Sequence, residues 1–251
     1  MYRSGNPALN DSTFEKSAYK EVSWWEGSES NLMSMNGVVD KTALLLTIVT
    51  FTAIAVYLTA PTFLLLTLFG GIVGFVVALI IIFSGSMNPI LICTYAACQG
   101  LFLGGITWII EKEVGYPGLG ILAAVLTLLI LGVMISIYRA GLISWNKNMQ
   151  IAVTSSMVAI LLIYLVSFFG SFLGFEIPLI HGNGIVGIGF SVFVVGIASL
   201  CLVADFDFIE RGVERGAPKQ LEWRAAFGLL VTLIWLYLEI LKLLAKLASR
   251  R

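Results

Sequence analysis

Two acidic residues stand where acids are costly. Asp205 closes the apolar run Leu202-Val-Ala-Asp205-Phe-Asp207-Phe-Ile-Glu210, and Glu239 sits inside Leu233-Ile-Trp-Leu-Tyr237-Leu-Glu239-Ile-Leu-Lys242. Inserting such a charge into a bilayer core costs about 2.5–3.5 kcal/mol, so an acid retained there points to a task. Two carboxyls sharing a low-dielectric site would hold a proton between them. Losing that proton would push their helices apart or draw in a cation. Asp205 and Glu239 are therefore the candidate ion- and proton-sensing residues, with Asp207, Lys242 and Gln99 as supporting polar groups. Asp205 lies 13 residues before Pro218 and Glu239 lies 21 after it. At 1.5 Å per residue these are heights of about 20 Å and 32 Å above the turn. The mismatch shrinks if Gln220–Trp223 run along the interface. Two plainer assignments compete. Asp205 and Asp207 open a loop, with Arg211 as partner one turn beyond Asp207; and Glu239 is neutralised by Lys242, three residues on along the same face.

Other chemistries lack their residues. His181, in Leu179-Ile-His181-Gly-Asn, is the one histidine, which excludes a His-rich zinc site and a His-Glu-x-x-His protease. Ser155 and Ser156 have no histidine base within a span, and no Gly-x-x-x-x-Gly-Lys phosphate loop occurs. Lys242 is placed like a retinal lysine, but the third span carries no acidic counter-ion and Lys242 falls near the helix end. Cys93, Cys98 and Cys201 lie inside apolar stretches, where they read as packing residues rather than a disulfide framework or metal set. Gln99 and Thr94, with Asn88, either line a pore or bond between helices. The expectation is a protein that is not an enzyme and has no resident cofactor or metal.

The elements that must hold these residues are membrane helices. Of 251 residues, 59% are hydrophobic and 12% charged, with mean hydropathy +0.96. A soluble domain carries about 25% charged residues, so this composition excludes an ordinary soluble enzyme and a disordered chain. The 15 basic and 15 acidic residues balance, leaving no field that would attract nucleic acid; the expected partner is the lipid bilayer. Seven stretches reach the roughly 20 apolar residues that a crossing needs: Thr42–Ala60, Thr62–Phe83, Pro89–Ile110, Gly118–Tyr138, Ile151–Leu173, Ile185–Ala204 and Ala225–Leu244. The expected fold is all-α, a polytopic seven-transmembrane-helix bundle over residues 41–251. Residues 1–40 are polar and Ser-rich, and read as a poorly ordered cytoplasmic tail. The pairs Gly70/Gly74, Gly100/Gly104 and Gly170/Gly174 have the spacing that lets helix backbones approach.

Basic residues set the orientation. Ten fall on the side of the N-terminus and five on the opposite side, which places the N-terminus in the cytoplasm. The basic C-terminus (Lys242, Lys246, Arg250, Arg251) is the counter-signal, since a last segment that fails to cross would put it inside as well.

Ala204-Asp205-Phe-Asp207-Phe-Ile209 and Leu236-Tyr237-Leu238-Glu239-Ile240-Leu241 resemble the C-terminal signature of the Bax inhibitor-1/YccA (transmembrane Bax-inhibitor-motif) family. The resemblance is closest to its long bacterial branch. There a polar tail opens like Arg3-Ser-Gly-Asn-Pro-Ala-Leu, and the last loop reads like Gly216-Ala-Pro-Lys-Gln-Leu-Glu-Trp223. The match spans essentially the whole chain, strongest in the tail and the last 50 residues. It implies a bundle with the last helix central, in a bacterial inner membrane. It also implies a pH-sensitive Ca2+ leak channel or cation exchanger gated by two carboxylates. Asp205 falls on the first carboxylate position and Glu239 on the second, where the family has Asp; both become possible Ca2+ contacts. The family's latch arginine on the second helix has no counterpart within Thr62–Phe83. The alternative is a non-transporting regulator that binds a membrane protease or other membrane protein, as the YccA-like branch is thought to do.

Overall fold

The computed structural model describes residues 31–60, 64–172, 174, 182 and 184–250. Among these residues seven helices follow one another: α1 (Met35–Thr59), α2 (Leu64–Ser84), α3 (Pro89–Val114), α4 (Leu119–Arg139), α5 (Lys147–Phe172), α6 (Ile185–Glu214) and α7 (Leu221–Ala248). All seven are long and apolar enough to cross a membrane. Each expected span is thus a helix, and most helices outrun their apolar stretch. Helix α6 has 30 residues, about 45 Å of rise against roughly 30 Å of hydrocarbon. Its polar end must therefore stand in the headgroups or in water.

Local chemistry sets the ends. Ser34 caps α1, its hydroxyl accepting the Gly37 N–H at 3.0 Å. Met35–Asp40, counted with the polar tail in the sequence reading, are therefore the first turns of a capped helix. Ala60 ends α1 in extended backbone, the conformation that Pro61 imposes on the residue before it. Asn88 Oδ1 accepts from Ile90 N–H at 2.9 Å at the start of α3, where Pro89 loses no helical bond. Asn146 does the same for Met149 N–H at α5. Helix α6 stops at Gly216, whose φ of +65° is open to glycine at little cost.

The chain forms two compact units. The first holds α1, α2, α3 as far as Ile109, α6 from Asp205 and α7 as far as Val231. Its helices meet at glycines. A side chain at Gly100 or Gly104 of α3 would run into Val49, Thr52 and Ala53 of α1. One at Gly70 or Gly74 of α2 would meet Cys98, Gln99 and Leu101 of α3. In lipid, where hydrophobic burial between helices gains little, such backbone approach is a main source of packing energy. Tyr95 of α3 packs edge-on against Phe227 of α7, ring centres 4.9 Å apart. Gly174 of the third pair lies beyond the end of α5 with φ +73°, and among the described residues nothing stands within 4 Å of where its Cβ would be.

The second unit holds the rest of α3, α4, α5, the first part of α6 and the end of α7. Glu111 Oε1 of α3 accepts the Gly120 N–H of α4 at 2.7 Å, capping that helix across the intervening turn. Helix α7 is the most buried of the seven. Within its most apolar stretch 61% of residues are buried, against 17% in α5.

Candidate functional site

Asp205 is helical and has no exposed surface. Leu202, Val203, Ala204, Phe206, Phe208 and Ile209 around it are buried as well, so α6 is covered on nearly all sides here. The idea that Asp205 and Asp207 open a loop is corrected on this point: α6 continues to Glu214 because this apolar stretch is still packed. The expected partnership of Asp207 holds. Arg211 donates to its carboxylate through Nη2 and to its carbonyl oxygen through Nε at 3.2 Å.

Glu239 lies in the second unit with its side chain 2% exposed. Lys242 Nζ donates to Oε1 at 3.0 Å, the pair expected from their spacing. Tyr164 of α5 donates its hydroxyl to Oε2 at 2.8 Å. The Lys242 ammonium also lies 4.7 Å from the Tyr164 ring centre, within cation–π range. Further along the same α7 face, buried Lys246 donates to the Gly187 carbonyl oxygen at 3.0 Å and the Ser191 hydroxyl at 2.9 Å. These bonds tie the end of α7 to the start of α6.

A second acidic centre lies in the first unit. Glu222 at the start of α7 is fully buried. Its Oε1 accepts the Ser34 N–H at 2.9 Å and the Ser34 hydroxyl at 3.1 Å, and its Oε2 pairs with Lys41 of α1. The carboxylate rests on Gly37, where any side chain would overlap it. Lys41 lies 5.5 Å above the Trp223 ring. Asn31–Met33 continue this junction. Met33 N–H donates to the Ala217 carbonyl oxygen at 2.7 Å, Lys219 N–H to that of Asn31 at 2.9 Å, and Leu32 bridges Pro218. The starts of α1 and α7 thus share one end of the first unit, which requires an even number of crossings between them.

Gln99 faces Gly74 of α2, its Nε2 3.0 Å from where a Cβ would stand. Thr94 bonds back to the Ile90 carbonyl oxygen of its own helix at 2.8 Å and is exposed. His181 lies outside the described residues, as does the tail up to residue 30. Among the described residues no group of three or more His, Cys, Asp or Glu is placed to hold a metal ion. The residues the sequence did not single out are Tyr164, Lys246 with Ser191, and Glu222 with Ser34. A phenol in an apolar run was the one signal for Tyr164, and a screen for charge passes over it. The model of the family described as Bax inhibitor 1 like matches residues 6–249. No curated protein matches the chain.

Proposed function

The chain belongs to the Bax inhibitor 1 like family and is a multi-pass membrane protein, and on that premise we propose that it passes cations, Ca2+ foremost, under the control of protonation at Asp205 and Glu239. The observation that carries this reading is the burial of both carboxylates, 0% and 1% exposed, in helices apolar enough to cross a membrane. A buried acid is kept against a large desolvation cost, and cation paths and proton relays are where that cost is met. Ca2+ is cargo in this reading, attracted by ionised carboxylate and rejected by the protonated form. Flux therefore rises with pH. Tyr164 and Lys242 match the ionised form of Glu239, one with a hydroxyl donor and one with charge. The bias of basic residues supports a cytoplasmic N-terminus, and the resemblance to the long bacterial branch supports a bacterial inner membrane.

The test is Ca2+ flux into liposomes holding the purified protein, across about pH 5 to 8. Asp205→Asn and Glu239→Gln should each flatten the rise of flux with pH. The double variant should add little to either, as expected of two groups controlling one step. An unchanged profile in both single variants, with Glu239→Gln merely less heat-stable, would reduce Glu239 to a structural partner of Lys242. Absence of flux at every pH would favour the regulator that binds a membrane protease or other membrane protein.

A further inference from the structure

The polar cluster of the second unit is arranged around one acceptor. Glu239 Oε2 takes the Tyr164 hydroxyl at 2.8 Å and Oε1 takes the Lys242 ammonium at 3.0 Å. The same ammonium rests on the Tyr164 ring. It therefore occupies the place at Oε1 that a metal cation would need. The two halves of the pair differ in their freedom. The Glu239 side chain is 2% exposed and held from both sides, whereas Lys242 is 43% exposed on a flexible four-carbon stem. Lys246 is no substitute, because its ammonium is committed to Gly187 and Ser191.

We infer that Lys242 is a tethered counter-cation that competes with divalent cations for Glu239, while Tyr164 holds the carboxylate in place for either. The inference rests on the cation-passage reading above and names a regulation of the same site. An ammonium and a divalent ion cannot share one carboxylate oxygen without strong repulsion, so a cation binds only when Lys242 swings off. Apparent affinity is then the intrinsic affinity scaled by the fraction of time the oxygen is vacant. Between cations, Lys242 spares Glu239 the cost of an unpaired buried charge. The lysine thus sets how much divalent ion is needed before the site fills.

Terbium(III), a luminescent stand-in for Ca2+, can be titrated into the purified full chain in nanodiscs and read by emission sensitised through tyrosine. If Lys242 is seated about nine-tenths of the time, Lys242→Met should tighten terbium binding about tenfold. Lys242→Arg keeps the charge and should show no such gain. The Glu239→Gln/Lys242→Met double variant should lose the gain. Lys242→Gln drops the charge but retains a hydrogen-bond donor for Glu239. It should show the same tightening, and it serves where Lys242→Met fails to fold. No tightening in either neutral variant, or a tightening that survives loss of Glu239, overturns the inference. Ca2+ flux separates it from the functional reading. Should Glu239→Gln alter flux while the neutral Lys242 variants bind no tighter, competition fails and transport stands. Should those variants bind tighter while no variant carries flux, transport fails and competition stands.

Discussion

Removing the Glu222 carboxylate should unfasten α1 from α7. Glu222→Ala deletes two hydrogen bonds to Ser34 and the ion pair with Lys41. Each hydrogen bond contributes about 0.5–1.5 kcal/mol. Breaking a fully buried ion pair costs about 3–5 kcal/mol; here Lys41 is 18% exposed and recovers part of its hydration, so the pair contributes less. The total is about 2–4 kcal/mol, or a fall in melting temperature of about 5–15 °C for a chain of this size. Thermal denaturation in detergent, followed by the fraction that stays monodisperse, measures it. Lys41→Met in the Glu222→Ala background removes the stranded ammonium, so the double variant should melt higher than the sum of the single losses predicts. The same junction corrects a deletion that the sequence invites. A chain starting at Gly37 discards Ser34, and with it the α1 cap and two of the Glu222 bonds, so it should melt well below one starting at Asn31. A melt of Glu222→Ala within about 2 °C of the parent, or strict additivity with Lys41→Met, would refute the reasoning.

Glycine contacts give a matched comparison. Gly104→Ala would drive a methyl into the Ala53 carbonyl oxygen of α1, whereas Gly132→Ala on α4 meets nothing within 4 Å; the first should lower thermal stability by about 1–3 kcal/mol, and the second should leave it unchanged or slightly raised. Ser249→Cys should react with a membrane-impermeant maleimide from outside intact cells, because α7 is one unbroken helix as far as Ala248; protection of that site, with a cytoplasmic N-terminus, would show that α7 turns back.

Sequence spacing revealed what lies along one helix. Glu239 with Lys242 and Asp207 with Arg211 are three and four residues apart, and helical geometry brings such residues together whatever else the chain does. The seven helices were legible for the same reason, since a run of apolar residues reports the solvent around it. Contacts between helices left weaker marks. Gly100/Gly104 and Gly170/Gly174 share a spacing, yet the first pair packs against α1 while Gly174 lies past the end of α5. Nothing within a single helix distinguishes them. Glu222 and Ser34 are 188 residues apart, and Glu222 in isolation reads as an acid favoured in the first turn of a helix. Tyr164 was hidden because its hydroxyl carries no charge to betray it. What the sequence lacked in each case was the identity of the neighbouring helix.

The pairings also bear on orientation. The basic residues at the C-terminus argue against a full last crossing only if they are free to act as a cytoplasmic anchor. Lys246 is not, since it is buried and bonded to α6. Lys242 is held by Glu239. On the side of the N-terminus, Lys41 and Arg211 are likewise paired and Arg224 is buried. Setting these five aside leaves seven basic residues against three, so the excess keeps its sign and steepens in proportion. Half of the counter-signal therefore lay in residues paired within the protein, Lys242 and Lys246. Lys246, near the end of α7, bonds the start of α6 through the Gly187 carbonyl oxygen and the Ser191 hydroxyl, so its charge goes to a helix contact and is withdrawn from the count that would keep the last segment inside.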